Sequence, residues 1–265
     1  MGSPSEAVTT NAAIVAKSEE AQVVQTRYHS LIEGKTNAGL QWLGFKFSEP
    51  QWKEIEIQFF HLKYNGLGWD DGMDKASQAD RNLLQFFGGL AEVKTAKTVA
   101  SLPITNLQKY PKGFAPPFVY MTGSEDIHVS PEEVKVLQVY LADGGMLLAD
   151  CGGPKWDASF RALMQTMFPT EPLRDIPDND VIYQKPFALA NGAPPLWHHG
   201  GQRALGIQQG GRWAVFYHPG DLNDAWKTGH SGLAAEKVES AHQLGVNLIY
   251  YAYSQAFELA KKNGR

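Results

Sequence analysis

Residues 144–169 read GGMLLADCGGPKWDASFRALMQTMFP, and the fold class follows from how this stretch divides. Met146 to Asp150 is a short apolar run of the kind that fills a buried strand. A Gly-rich turn follows and carries Cys151, the sole cysteine. Beyond it, Phe160, Leu163, Met164, Met167 and Phe168 recur at i, i+3, i+4, i+7 and i+8, the period of a helix with one buried face. A strand, a turn and a helix in that order form the repeating unit of an open parallel sheet. In such sheets the turn after a strand is where ligands bind.

The units on either side agree. Glu54 to Tyr64 (EIEIQFFHLKY) reads as a first strand, followed by the loop NGLGWDDGMD. A helix is expected over about 75–90, with Asp74 placed to cap it, and a short strand near Lys97 to Ala100. Pro117 to Met121 is the next strand. Ser130-Pro131-Glu132-Glu133 then combines a capping box with proline at the first helical position. That helix runs to Ala142, where Gly144-Gly145 stops it. Strand and helix alternating at these spacings predict a mostly parallel sheet with right-handed crossovers.

After Pro169 the pattern loosens into a Pro- and Asp-rich excursion over 172–195. Arg203–Gln208 and Arg212–Tyr217, joined through Gln209-Gly210-Gly211, read as a β-hairpin. Residues 234–262 read as one long helix with a narrow inward stripe of Val238, Ala241, Gly245, Leu248, Ile249 and Ala252. Residues 1–50 are expected to form a partly disordered or irregular arm, and 51–265 a single α/β domain. Trp197, Trp213, Phe216, Tyr217 and Trp226 cluster late in the chain and read as an aromatic core beneath the excursion, with an exposed patch for a partner as the alternative.

Bulk properties narrow the function. The 265 residues carry a formal charge of −4 without a basic run, which argues against nucleic acid. One cysteine excludes an internal disulfide framework and any cysteine-built zinc site. No apolar run of about 18 residues predicts a transmembrane segment. No GxGxxG or Walker A motif is present, so no cofactor is assigned. No metal site is assigned either. Asp126 with His128, or His218 with Asp221, offers two ligands at most, and adjacent His198-His199 cannot easily share an ion. Asp178-Asn179-Asp180 opens like a calcium loop but lacks its glycine and distal glutamate.

The ordered run of VYMTGSEDIHVSPEEVKVLQVYLADGGMLLAD, DASFRALMQTMFP and AHQLGVNLIYYAY resembles a bacterial family of unknown function, domain of unknown function 4159. That family is often encoded near MoxR-type ATPases and BatA-type membrane proteins. It is similar in fold to class I glutamine amidotransferases and ThuA-like proteins. The resemblance implies a flavodoxin-like layered α/β fold and, for many members, export. Met1-Gly2-Ser3 looks like an added leader, so a native signal peptide is expected to have been removed from an exported or periplasmic protein.

The amidotransferase relationship implies specific residues. Those enzymes carry a cysteine in a GxCxG elbow and a histidine in an FHPE-type segment. Here Ala149-Asp150-Cys151-Gly152-Gly153 matches the cysteine and the glycine after it. Phe216-Tyr217-His218-Pro219-Gly220-Asp221 supplies a histidine, with an acid one position late. Cys151, His218 and Asp221 would thus be nucleophile, base and orienting carboxylate. Against this, Gly152 to Trp156 intervene before Asp157, the expected N-cap, so the helix dipole is expected to miss the thiol. Asp150 beside the thiol opposes its ionisation.

The favoured expectation is therefore a non-catalytic ligand-binding or interaction module. Its pocket at the C-terminal edge of the sheet is formed by Trp69, Asp70, Asp71, Thr122, Ser124, Asp126, Asp150, Gly152 and Gly153. Carboxylates beside an indole suit a small polar or sugar-like ligand, and a protein partner is the other reading. The alternatives are a Cys–His hydrolase or amidotransferase-like enzyme, and a carbohydrate-acting enzyme using Asp70 and Asp150 as acid and base.

Overall fold

The computed structural model describes residues 51–91, 93–196, 202–227 and 232–263. The N-terminal arm, Trp197 and His198-His199 lie outside the described residues. After a single turn, α1 (Gln51–Glu54), the first apolar stretch yields two short strands, β1 (Glu56–Ile57) and β2 (Phe60–Lys63). The helix expected from residue 75 begins later, as α2 (Ala79–Ala91). Asp74 caps a separate turn, accepting from the N–H groups of Ala76 and Ser77 at 2.8 and 3.0 Å. Next come β3 (Lys94–Thr95) and β4 (Ala100–Pro103), flanking the single strand expected there.

The centre of the chain follows its local signals closely. β5 (Phe118–Gly123) leads to α3 (Pro131–Ala142), whose start carries the full reciprocal capping box between Ser130 and Glu133. β6 (Met146–Cys151) follows, then α4 (Pro154–Met167). Here the expected late helix start is corrected. Gly153 is the N-cap and Pro154 the first helical residue, so only Gly152 and Gly153 separate Cys151 from α4. Proline suits that position because its missing N–H has no intrahelical partner there and its φ is preset.

The excursion contains β7 (Arg174–Asp175) and a turn of 3-10 helix at Val181–Tyr183. Asn247 ties it down: its side chain donates to the carbonyls of Ile182 and Phe187 and accepts from the Phe187 N–H. The hairpin forms as β8 (Leu205–Gln209) and β9 (Arg212–His218). Gly210 and Gly211 between them have φ of 58° and 79°, the left-handed pair of a tight hairpin turn. A short helix, α5 (Leu222–Trp226), precedes the long α6 (Ala235–Lys262).

Among the described residues, seven strands form the central sheet in the order β4-β2-β5-β6-β9-β8-β7. The first five run parallel; β8 and β7 are antiparallel additions at one side. β1 and β3 pair separately. Alternation along the strands sorts the core into two layers. Phe118, Tyr120, Met146, Leu148 and Phe216 pack towards α2, α5 and α6. Val119, Met121, Leu147, Ala149, Cys151, Val215 and Tyr217 pack towards α3 and α4. Trp213, Phe216, Tyr217 and Trp226 are all buried, so the late aromatic cluster belongs to the core. None of the described helices is long and apolar enough to cross a membrane.

Candidate functional site

The parallel strands end together, and the side chains at their C-terminal ends divide between the two faces. On the α5 face lie His61, Tyr120, Thr122, Asp150 and His218. The register opposes His61 to Tyr120, Thr122 to Asp150, and Asp150 to His218. All five are almost completely buried. Burial of such a patch is costly unless its groups are paired; most of them are, but the Thr122 hydroxyl has no hydrogen-bond partner among the described residues.

Asp150 is fully enclosed. Its Oδ1 accepts the Leu222 N–H at 2.7 Å, and its Oδ2 accepts the Tyr120 hydroxyl at 2.7 Å and the Asn223 N–H at 2.9 Å. Asp150 thus acts as a cap reaching across the sheet to the start of α5. Burial lifts its pKa to about 6, against the pull of those three donors. His61 places Nε2 2.6 Å from an oxygen of Asp80, and Nδ1 2.8 Å from the Trp69 carbonyl. Both ring nitrogens face acceptors, so both carry protons. Burial opposes that charge, but the Asp80 carboxylate outweighs it and raises the His61 pKa. His218 is built differently: Nδ1 accepts the Gly220 N–H at 3.0 Å, and Nε2 donates to the Pro194 carbonyl at 3.0 Å. That is the neutral Nε2–H tautomer.

Cys151 belongs to the opposite face, among Trp156, Phe160 and Tyr217. Its thiol donates to the Gly153 carbonyl at 3.2 Å. Burial pushes its pKa up to about 11, overriding the hydrogen bonds from its surroundings. The early start of α4 therefore does not produce an activated thiolate. Since His218 shares its face with Asp150, strand alternation puts the imidazole and the thiol on opposite sides of the sheet. Asp221 is also on the Asp150 side, as the N-cap of α5. Cys151, His218 and Asp221 are not brought together.

The remaining predicted residues separate by exposure. Trp69 is half-buried, with Lys63 Nζ 5.2 Å from its ring centre. Asp70, Ser124 and Asp126 are exposed. Asp71 is half-buried and bound by Lys227 at 3.0 Å. The loops after β2, β5 and β6 close on one another through backbone contacts. The Ser124 N–H donates to the Leu67 carbonyl at 3.4 Å, and the Gly152 N–H to the Gly123 carbonyl at 3.1 Å. Asp150 lies beneath α5, with Thr122 opposite it in the register on the same face, while Gly152 and Gly153 form the junction into α4. Asp70, exposed, and Asp150, enclosed, do not form an acid–base pair flanking a common cleft.

A cleft of about 480 Å³ opens farther along the same edge, lined by Asp157, Arg161, Asp175, Gln202, Arg203 and Leu205. Its position follows from the register: Leu205 lies opposite Tyr217 near the end of β9, and Asp175 opposite Leu205. Asp157 and Arg161 come from the first two turns of α4. Arg161 holds Asp157 at 2.8 Å and Gln202 at 3.2 Å, and its guanidinium sits 5.4 Å from the Tyr217 ring centre. Arg203 pairs with Asp178, and the Tyr217 hydroxyl donates to Asp157.

Sequence reasoning missed His61, Asp80 and this cleft. Asp80 did carry a signal, since it falls on the buried stripe of Leu83, Leu84 and Phe87 one turn before it. A carboxylate on an apolar helix face calls for a buried partner, and His61 in the apolar run FFHLKY is the matching oddity. Arg161 and Arg203 gave no comparable signal. They are charged residues on surface positions, distinguished only by how the hairpin folds against α4.

The architecture is that of a mixed α/β protein with a mostly parallel central sheet, a cysteine ending one of its strands and a long C-terminal helix. The family model for Domain of unknown function (DUF4159) matches residues 58–253, and the chain belongs to that family. No curated protein matches it.

Proposed function

We propose that this chain is a non-catalytic ligand-binding module of class I glutamine amidotransferase-like architecture, taking a small polar or sugar-like molecule at the C-terminal edge of its sheet. The strand–Cys–Gly–Gly–helix passage from β6 into α4 supports the architectural reading. The cleft between α4 and the start of β8 carries the functional one. Its lining combines two guanidinium groups, two carboxylates, the Gln202 amide and the apolar Leu205. Such a lining offers both donors and acceptors to hydroxyl groups and leaves little net charge to attract simple ions. The loop surface of Trp69, Asp70, Ser124 and Asp126 flanks the same edge and is available to extend it.

The separation of Cys151 from His218, together with a thiol held protonated, supports a non-catalytic role over a Cys–His hydrolase. The experiment is isothermal titration against hexoses, uronic acids, amino sugars and free amino acids, with Asp175→Ala and Arg203→Ala as variants. Binding by the wild type that weakens at least tenfold in both variants is expected. A panel in which nothing binds, or binding indifferent to both substitutions, sinks the reading.

A further inference from the structure

Helix α5 closes over a concentration of negative charge. Asp150 lies beneath its first turn, Asp221 caps it, Asp224 stands within it and Asp71 alongside. Among the described residues, one ammonium, Lys227, faces this group, bound to Asp71 and Asp224. Burial pulls the Lys227 pKa down, but those two partners outweigh it. Among the described residues, Asp150 and Asp221 thus have no cation bonded to them, and Lys227 only partly offsets the negative charge at Asp221.

The two differ in what compensates them. Asp150 receives three short hydrogen bonds, while Asp221 accepts one, from the Asp224 N–H at 3.3 Å. Asp221 also holds a left-handed backbone, φ 59°, and is 7% exposed. A carboxylate with one weak donor, beside another that is well bonded, is the one that keeps a proton.

Among the described residues, the other elements around the pair supply no further bonded cation. Tyr120 of β5 already donates to Asp150, and His218 of β9 has both ring nitrogens engaged with backbone. α2 contributes Asp80, matched by His61 of β2. α6 meets α5 through the Ala241 carbonyl, which accepts from the Trp226 indole.

We propose that Asp221 is a proton-held latch: protonated, it lets α5 lie over Asp150, and release of that proton to solvent loosens α5 and uncovers Asp150. Burial, then the negative charges of Asp150 and Asp224, raise the Asp221 pKa to about 8. With α5 open the carboxyl regains an ordinary value near 4. Opening between these values releases one proton, so the opening equilibrium rises about tenfold per pH unit and levels off above the upper one.

Hydrogen exchange of the Leu222–Lys227 amides tests this, each rate being divided by the intrinsic chemical rate at that pH. Protection in the wild type is expected to fall about tenfold per unit between pH 6.5 and 8. In Asp221→Asn, which tolerates a left-handed backbone and still caps, protection is expected to stay flat over that window. A flat wild-type profile, or a variant that parallels the wild type, overturns the latch. The ¹³C resonance of the Asp221 carboxyl gives an independent reading: a titration midpoint near 4 in the folded protein also overturns it.

Discussion

Cys151 and His218 end adjacent parallel strands, yet their side chains leave the sheet on opposite faces. Asp150, not Cys151, is the register partner of His218. The thiol therefore sits in the aromatic layer under α4, and the imidazole sits under the α5 side with both nitrogens bonded to backbone. A nucleophile–base pair needs hydrogen-bond reach, and the sheet itself lies between these two groups.

Cys151 should accordingly behave as a shielded thiol. With its pKa pushed up to about 11 by burial, iodoacetamide labelling of the native protein is expected to stay negligible from pH 7 to 9. In urea, where the thiol is solvated, labelling should proceed at the rate of a free cysteine. Rapid native labelling at pH 7 would contradict the placement.

The His61–Asp80 pair should be costly to break and replaceable as a whole. Both side chains are fully buried 2.6 Å apart. Removing one charge strands the other, so Asp80→Asn is expected to lose about 3–5 kcal/mol in urea denaturation. The double change His61→Phe with Asp80→Leu should recover most of that loss, because neither charge then remains to be desolvated. Equal damage in single and double variants would show that the pair is needed for something besides mutual compensation.

Asp150 should matter to α5 more than to the sheet. Asp150→Ala leaves the N–H groups of Leu222 and Asn223 and the Tyr120 hydroxyl without their acceptor. Each such loss costs about 1–3 kcal/mol. Amide exchange within Leu222–Trp226 is expected to accelerate far more than exchange in β5 or β6. Uniform acceleration across the sheet would rule out the capping role.

The sign of the pH effect on stability follows from the raised carboxyls. Asp150 and Asp221 rise from about 4 unfolded to about 6 and about 8 folded. The folded state therefore binds more protons across this window, and stability falls as pH rises from about 4 to about 8. Asp221→Asn removes the larger contribution. Its melting temperature should exceed that of the wild type at pH 8 by more than at pH 5, by roughly 2–4 °C for each kcal/mol recovered in a chain this long. A gain equal at both pH values would exclude Asp221 as the source.

Gly123 should resist even the smallest side chain. A Cβ there would clash with the Tyr64 hydroxyl and come within 2.8 Å of the Trp156 ring, which are themselves hydrogen-bonded at 2.9 Å. Gly123→Ala is expected to cost about 1–3 kcal/mol by overpacking. Tyr64→Phe in the same chain should return part of it. Full tolerance of the alanine would mean that the loop junction is looser than described.

What could be read from the sequence was local. Ser130-Pro131-Glu132-Glu133 announces a helix through groups three residues apart, and the helix starts there. Gly153-Pro154 announces one as well, but a glycine cap has no side chain to reveal it, and Asp157 looked the better candidate. The parity of Cys151 against His218 is a different matter. It depends on the register of β6 with β9, set by packing between segments more than sixty residues apart, and a slip of one residue would reverse it. The convergence of the strand ends was legible from topology. That α5 would lie over Asp150, leaving the open cleft beside Arg161 instead, was not, because neither α5 nor the Arg161–Gln202 contact has a periodic signature.

The two flanks of the central sheet, β4 and β7, limit how another chain could associate with this one. β7 is two residues long, and β4 ends in Pro103, which has no N–H to donate. Unpaired strand edges invite addition of a foreign strand when they are long and continuous, and proline interrupts such pairing. Neither flank provides a ladder of more than a few bonds. Among the described residues, strand addition at either flank of the central sheet is therefore expected to be weak, and a partner that docks there would rely on side chains more than on backbone pairing.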